Sequence, residues 1–277
     1  MRNRIGVIYQ MQHLLEDGPE KLFDLGVECI QLQSFEPEKF TKENAEKVLE
    51  LLDGKVEISS FWCGWSGPQL WGLYNGPSTL GIVPEAYRSM RVKELCKGAD
   101  FAKMLGVTEM ATHLGFIPEY PMTDAYRGVF CAVKTIADYC ESLGIHFNFE
   151  TGQETPPTLM RLIQDLDTEY VGINLDPANL ITYGKGNPID ALDIFGDRIR
   201  GVHVKDGVYA SGDFYKHGQQ TFIGEGAVNF PVFLPKLIKQ GYTGDLYIER
   251  EITGEQQMID IKKTIVYVNE LLDTIFK

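Results

Sequence analysis

The feature that most limits how this chain can fold is a rhythm: a short apolar run, a turn, then a helical stripe of apolar residues closed by glycine, repeated along its length. R-I-G-V-I-Y near the start is such a run. Asp17-Gly18-Pro19-Glu20 then supplies an N-cap and first-turn signal for a helix reaching Leu25 before Gly26 stops it. V-E-C-I-Q-L-Q alternates as a strand and precedes Ala45, Val48, Leu49 and Leu52 at helical spacing, with Gly54 as the stop. V-E-I-S-S-F-W is a third strand, running into a long loop over residues 64–84 that is rich in Gly, Pro and aromatics. A loop of that length inside a compact domain is usually functional or a lid.

The rhythm continues to the end of the chain. Met90, Leu95, Ala99, Ala102 and Leu105 mark a helix after Glu85, and V-T-E-M-A-T-H-L-G is a fourth strand with His113 near its end. Tyr126, Val129, Phe130, Val133, Ala137 and Cys140 form the next stripe, closed by Gly144. I-H-F-N-F-E is the fifth strand, followed by a stripe of Leu159, Leu162, Ile163 and Leu166. Y-V-G-I-N-L-D is the sixth, and Asn187-Pro188 opens a short helix through Phe195. I-R-G-V-H-V-K and D-L-Y-I-E are strands seven and eight. Each precedes a helix, the first with Phe230, Phe233, Leu234, Leu237 and Ile238, the last with Met258, Ile261, Ile265, Val268 and Leu272.

Strands that each feed a helix must be parallel, and eight such units in about 250 residues is the count of a closed (β/α)8 TIM barrel, an α/β fold. No Ser/Gly-rich or Pro-rich linker interrupts the 277 residues, so one domain, residues 1–277, is predicted. Lys and Arg total 26 against 39 Asp and Glu, a net charge of −13 that repels a phosphate backbone and argues against nucleic acid. The five cysteines, odd in number and without C-x-x-C spacing, indicate neither a disulfide framework nor a zinc knuckle and fit a reducing cytoplasm. Neither a signal-peptide pattern nor an apolar stretch near the ~20 residues of a membrane span is present. A homodimer or homotetramer is compatible with such a chain.

Chemistry in barrels of this kind sits at the carboxyl ends of the strands. Four strands here end on a metal-ligating residue: Glu150, Asp176, Glu249 and, within V-H-V-K, His203. In the two-residue period of a strand, His203 and Lys205 share a face. A lone strand histidine is more often a hydrogen-bonded core residue, and Asp176 ahead of Pro177 has the placing of an ordinary N-cap. Glutamate caps helices poorly, so Glu150 and Glu249 require another role. Three carboxylates and one imidazole are the material of a site for a single divalent cation.

These motifs, in this order, resemble the xylose isomerase-like barrel superfamily, which includes sugar epimerases, hydroxypyruvate isomerases, inosose dehydratases and AP endonucleases. V-H-V-K-D at 202–206 resembles the seventh-strand signature of the L-ribulose-phosphate 3-epimerase and inosose dehydratase branches. L-D-P-A-N, F-N-F-E and Y-I-E-R resemble the segments carrying the remaining metal carboxylates. AP endonucleases are similar in fold but hold three zinc ions with more histidines. Asn179 stands here where one of those histidines would, and the whole chain has five.

The resemblance implies a metal-dependent isomerase or epimerase of a small sugar, sugar acid or sugar phosphate. Glu150 and Glu249 would act as acid and base through an enediolate. Glu150, Asp176, His203 and Glu249 would hold one divalent ion, Mn²⁺ being favoured over Mg²⁺, Co²⁺ or Zn²⁺. A dehydratase of the inosose type is the main alternative, with an AP endonuclease-like hydrolase or a non-catalytic sugar-binding barrel behind it. His113, Asn179, Lys205, Trp62, Phe116 and Glu225 are the expected substrate contacts. Trp65 and Trp71 are expected beside Trp62 and Phe116 at the mouth, where aromatic rings pack on sugar CH faces. For Lys205 a buried ion pair with Asp206 or a nearby acid competes with substrate binding, and for Glu225 a purely loop-ordering role does.

Overall fold

The computed structural model describes residues 2–277. Eight parallel strands close a barrel: β1 (Ile5–Gln10), β2 (Cys29–Ser34), β3 (Glu57–Cys63), β4 (Glu109–Thr112), β5 (His146–Glu150), β6 (Val171–Leu175), β7 (Ile199–Val204) and β10 (Leu246–Ile248). β10 seals it by pairing with both β7 and β1, setting Tyr247 opposite His203 and Val7 opposite Ile248. The remaining strands, β8 (Asp206–Val208) and β9 (Gln219–Thr221), form an antiparallel hairpin directly after β7.

Helices ring the barrel: α1 (Met11–Asp17), α2 (Glu20–Phe23), α3 (Lys42–Leu52), α4 (Glu85–Met104), α5 (Asp124–Leu143), α6 (Pro156–Leu166), α7 (Pro177–Thr182), α8 (Pro188–Phe195), α9 (Phe230–Lys239) and α10 (Glu255–Ile275). The apolar core lies between ring and barrel, where strand residues such as Ile30, Phe61, Phe147 and Ile173 meet helix residues such as Val48, Leu95, Val133 and Leu162. Starts and stops follow local chemistry. Thr123 and Thr155 accept the backbone N–H groups of Tyr126 and Thr158 to begin α5 and α6. Gly144, at φ 73°, takes the left-handed turn that ends α5 and sends the chain into β5. Among the described residues no helix is long and apolar enough to cross a membrane.

The first helical segment departs from expectation. α1 starts at Met11, straight out of β1, and Gly18 ends it at φ 82°, so Asp17-Gly18-Pro19 is a junction between two short helices. Leu49 and Met90, placed on buried stripes by spacing, are exposed.

The segment between β3 and α4 holds only a single 3₁₀ turn, Gly76–Ser78, yet it is pinned down. The buried Arg91 guanidinium donates to the carbonyls of Ser66, Pro68, Thr79 and Gly81. Trp65 is fully buried beneath it rather than presented at the mouth, packed with Trp62, Leu80 and Ala111. An arginine satisfying four loop carbonyls fixes this segment as part of the cavity wall.

Candidate metal centre and active-site cavity

Each of the four sequence-selected residues leaves the carboxyl end of its own strand, and the barrel brings them together. Glu150 closes β5, Asp176 follows β6, His203 is the fifth residue of β7 and Glu249 follows β10. One donor atom from each lies within 4.8 Å of all the others. His203 Nδ1 sits 3.1 Å from Glu249 Oε2, 3.4 Å from Glu150 Oε1 and 3.7 Å from Asp176 Oδ2. None of these contacts has hydrogen-bond geometry, and both His203 Nδ1 and Asp176 Oδ2 are buried without a hydrogen-bond partner.

The surroundings orient the cluster from beneath. His203 Nε2 lies 2.7 Å from Gln31 Oε1, and Gln31 Nε2 donates in turn to Ser60 Oγ and Asn174 Oδ1. His203 Nε2 also lies 2.8 Å from Asn174 Nδ2, and the two amides hold the ring with Nδ1 facing the cluster, as a metal ligand requires. Asp176 caps α7, its Oδ1 accepting from Asn179 N at 2.8 Å, while its Oδ2 faces the cluster. Glu150 is held on both oxygens, Oε2 by the Trp62 indole N–H and Oε1 by Asn179 Nδ2 at 3.2 Å and His113 Nε2 at 3.2 Å.

Charge follows this geometry. Burial alone would push the Glu150 carboxyl up, but the His113 and His203 imidazoles outweigh it and hold the group well below the usual carboxylate range. Burial disfavours a charged His203, yet Glu150 and Glu249 raise its pKa well above the ordinary value. Three carboxylates that strongly favour positive charge in their midst, together with two orphaned donor atoms, fit a divalent cation that would displace the imidazole proton. Three oxygen donors and one nitrogen suit a hard ion.

Above the cluster opens a cavity of about 430 Å³, lined among others by Gln10, Gln33, Trp62, Trp71, His217 and Gln220. His113, Asn179 and Lys205 also line it, together with Glu150 and Glu249. Lys205 forms no pair with Asp206. Its Nζ lies 2.9 Å from Glu251 Oε1, 3.1 Å from Glu249 Oε2 and 3.3 Å from Asp176 Oδ2. Burial would lower the Lys205 pKa, but these carboxylates raise it well above normal.

Two expected substrate contacts lie elsewhere. Phe116 is half-buried, packing edge-on to Tyr183 with ring centroids 6.3 Å apart, and is not among the lining residues. Glu225 is exposed on the loop following β9, outside the cavity. That loop turns back because Gly224, Gly226 and Val228 donate their backbone N–H groups to Asp206, which draws Glu225 away from the mouth.

Sequence reasoning passed over the buried amides Gln31 and Asn174 and the cavity residues Gln10, Gln33, His217, Gln220 and Glu251. It also passed over Glu154, whose carboxyl is pushed up to about 7 by burial, against the opposing charge of His113, with neither oxygen hydrogen-bonded. Its only signal was its place four residues beyond the end of β5.

Residues 19–265 match the family described as xylose isomerase-like TIM barrel. The chain belongs to this family. A xylose isomerase domain protein from Planctomyces limnophilus superposes with a TM-score of 0.93 at 30% identity, each chain covered over 99%. An L-ribulose 3-epimerase shares the fold at TM-score 0.71 and 19% identity, with 99% of this chain and 95% of that one covered. Inosose dehydratase of Geobacillus kaustophilus is 28% identical over 146 residues, 47% of each chain. The curated relatives it matches are spanned over 47% to 59% of their own length.

Proposed function

We propose that this family member is a divalent-metal-dependent isomerase or epimerase of a small sugar, working by proton transfer at the carbon beside a ketone. The observation that carries the reading is the convergence of Glu150, Asp176, His203 and Glu249, donor atoms within 4.8 Å, beneath a cavity of sugar size. Those four residues would hold the ion, with Mn²⁺ favoured by the oxygen-rich set. When bound, the ion supplies Lewis-acid stabilisation of the charge that develops on the substrate oxygens.

The protein's own groups account for the proton movements. Trp62, His113 and Asn179 hold Glu150 ionised, in the state a base needs to take the proton from carbon. Glu249, anchored through Oε2 by Lys205 and only partly buried, approaches the cavity from a different strand and can serve the opposite face. Transfer from one face and return on the other gives an epimer, with the two glutamates exchanging roles in the reverse direction. Trp71 and Trp62 wall the cavity and exclude water from the charged intermediate.

A second reading, a dehydratase, draws support from the match to inosose dehydratase. The same carbanion then expels a β-hydroxyl instead of being reprotonated. Incubation of Mn²⁺-loaded protein with D-fructose, L-ribulose and inosose in deuterium oxide separates the readings. Deuterium at the carbon beside the carbonyl with substrate mass otherwise retained supports the epimerase, and loss of water supports the dehydratase. Absence of both across the panel would overturn the proposal.

A further inference from the structure

The barrel mouth is walled unevenly. On one side the segment 64–84 after β3 and the β8–β9 hairpin contribute Trp71, His217, Gly218 and Gln220 to the cavity above the cluster. On the other side α1 begins at Met11 directly after β1 ends at Gln10, and residues 249–254 alone separate β10 from α10. β1 and β10 are neighbours in the barrel, so these two short connections lie side by side and leave the mouth open between them.

A second and larger cavity occupies that gap, about 1070 Å³ against about 430 Å³ for the first. Gln10, Gln33, Glu249 and Glu251 line both, so the two form one continuous space with Glu249 at the junction. Away from the cluster the space follows a groove between α1–α2 and the start of α10, whose two walls are joined by Lys262 Nζ and Asp24 Oδ2 at 2.6 Å. Tyr9, Ile252 and Met258 line this groove half-buried, over a buried Ile261, and Gln12 and Gln257 stand among them. An aromatic ring and aliphatic side chains beside amides suit the CH face and the hydroxyl edge of a sugar ring. A single small sugar above Glu150 and Glu249 fills the smaller cavity and leaves this apolar groove to water, whereas ligand sites bury most of the surface of what they bind.

We propose that the groove is a second subsite and that the substrate is a glycoside. Its reacting ketone unit lies over Glu150 and Glu249, and a second ring, joined through a glycosidic bond, lies along Tyr9, Ile252 and Met258. Gln10, whose Nε2 donates to Gln33 Oε1, stands with Glu249 where the two units meet. This rests on the proposed sugar chemistry and extends it from a lone sugar to a two-part substrate.

The test is binding to Mn²⁺-loaded protein, read by tryptophan fluorescence, of D-fructose against isomaltulose and lactulose, ketoses that carry a glucosyl or a galactosyl group on the fructose unit. At least one disaccharide should bind about tenfold more tightly than fructose. Thr253 is exposed on the groove wall, and Thr253→Trp, which narrows the groove, should remove that gain while leaving fructose affinity unchanged. Tyr9→Ala, which takes away the ring, should reduce the gain about threefold. Loss of the gain in either variant supports the subsite. Equal or weaker binding of both disaccharides, or a gain that survives both substitutions, would overturn it. A dimer in sedimentation velocity that Thr253→Trp dissolves would also overturn it, because the groove would then belong to a second copy of the chain. Because binding is read rather than turnover, the proposed reaction can fail independently: a disaccharide that binds as expected, while neither it nor fructose exchanges deuterium, supports the subsite and counts against the chemistry.

Discussion

At the amino end of the barrel, Arg200 grips Glu109 through Nη2 at 2.8 Å and Nε at 3.0 Å, and Arg4 takes Asp245 through two bonds of 2.8 Å while also reaching Glu57. At the carboxyl end, Glu150, Asp176, His203 and Glu249 crowd together with atoms left over. The buried ionisable atoms without a hydrogen-bond partner among the described residues, His113 Nδ1, Glu154 Oε1 and Oε2, Asp176 Oδ2 and His203 Nδ1, all belong to residues beyond or near the carboxyl ends of strands. One end neutralises its charges in forked pairs, which is what stability asks for. The other end keeps like charges close and unsatisfied, which costs stability and makes sense only where a ligand completes the arrangement.

Substitutions at the two ends should therefore separate activity from stability. The largest effect is expected from Glu150→Gln and Glu249→Gln, which keep size while removing a base. Each should lower kcat by a factor of ~10² or more in steady-state assays on an exchanging ketose, with smaller changes in KM. The two need not be symmetrical, because in an epimerase each glutamate is the base for one epimer. Exchange surviving for a single epimer in one variant would sharpen the contrast between the ends. Near-normal turnover in either variant would break it.

At the opposite end, Arg200→Ala removes a partly exposed fork and should cost about 1–2 kcal/mol. That corresponds to a fall of roughly 2–8 °C in a melting scan for a chain this long. Metal binding and kcat at temperatures below the transition should be unchanged. A loss of activity without a loss of stability would mean that the two ends are not divided as described.

Much of this division could be read from the sequence, for identifiable reasons. The barrel was legible because glycines such as Gly144 and Gly54 punctuate stripes whose period changes from two to about 3.6. α1 was not, because Asp17-Gly18-Pro19-Glu20 is a stronger start signal than Gln10, whose side chain caps nothing. Glu150, Asp176, His203 and Glu249 stood out because each closes an apolar run. Gln31 and Asn174 did not, since a buried strand amide acquires meaning only from a partner across the barrel, here 143 positions away. Glu251 belongs to no strand, and reaches Lys205 through a loop whose Glu251 N–H is fixed by Gln220 Oε1 at 2.9 Å. Phe116 and Glu225 lie outside the cavity lining, and position in a loop near the mouth does not say which way a loop turns.

A metal titration probes the carboxyl-end cluster most directly. Equilibrium dialysis against Mn²⁺, with metal content measured per chain, should give one ion for the wild type and an affinity lowered at least about tenfold in both Asp176→Asn and His203→Ala, since each removes a donor from a set of four. Unchanged stoichiometry and affinity in both variants would show that the carboxyl-end cluster is not a metal centre, and would take the proposed chemistry with it.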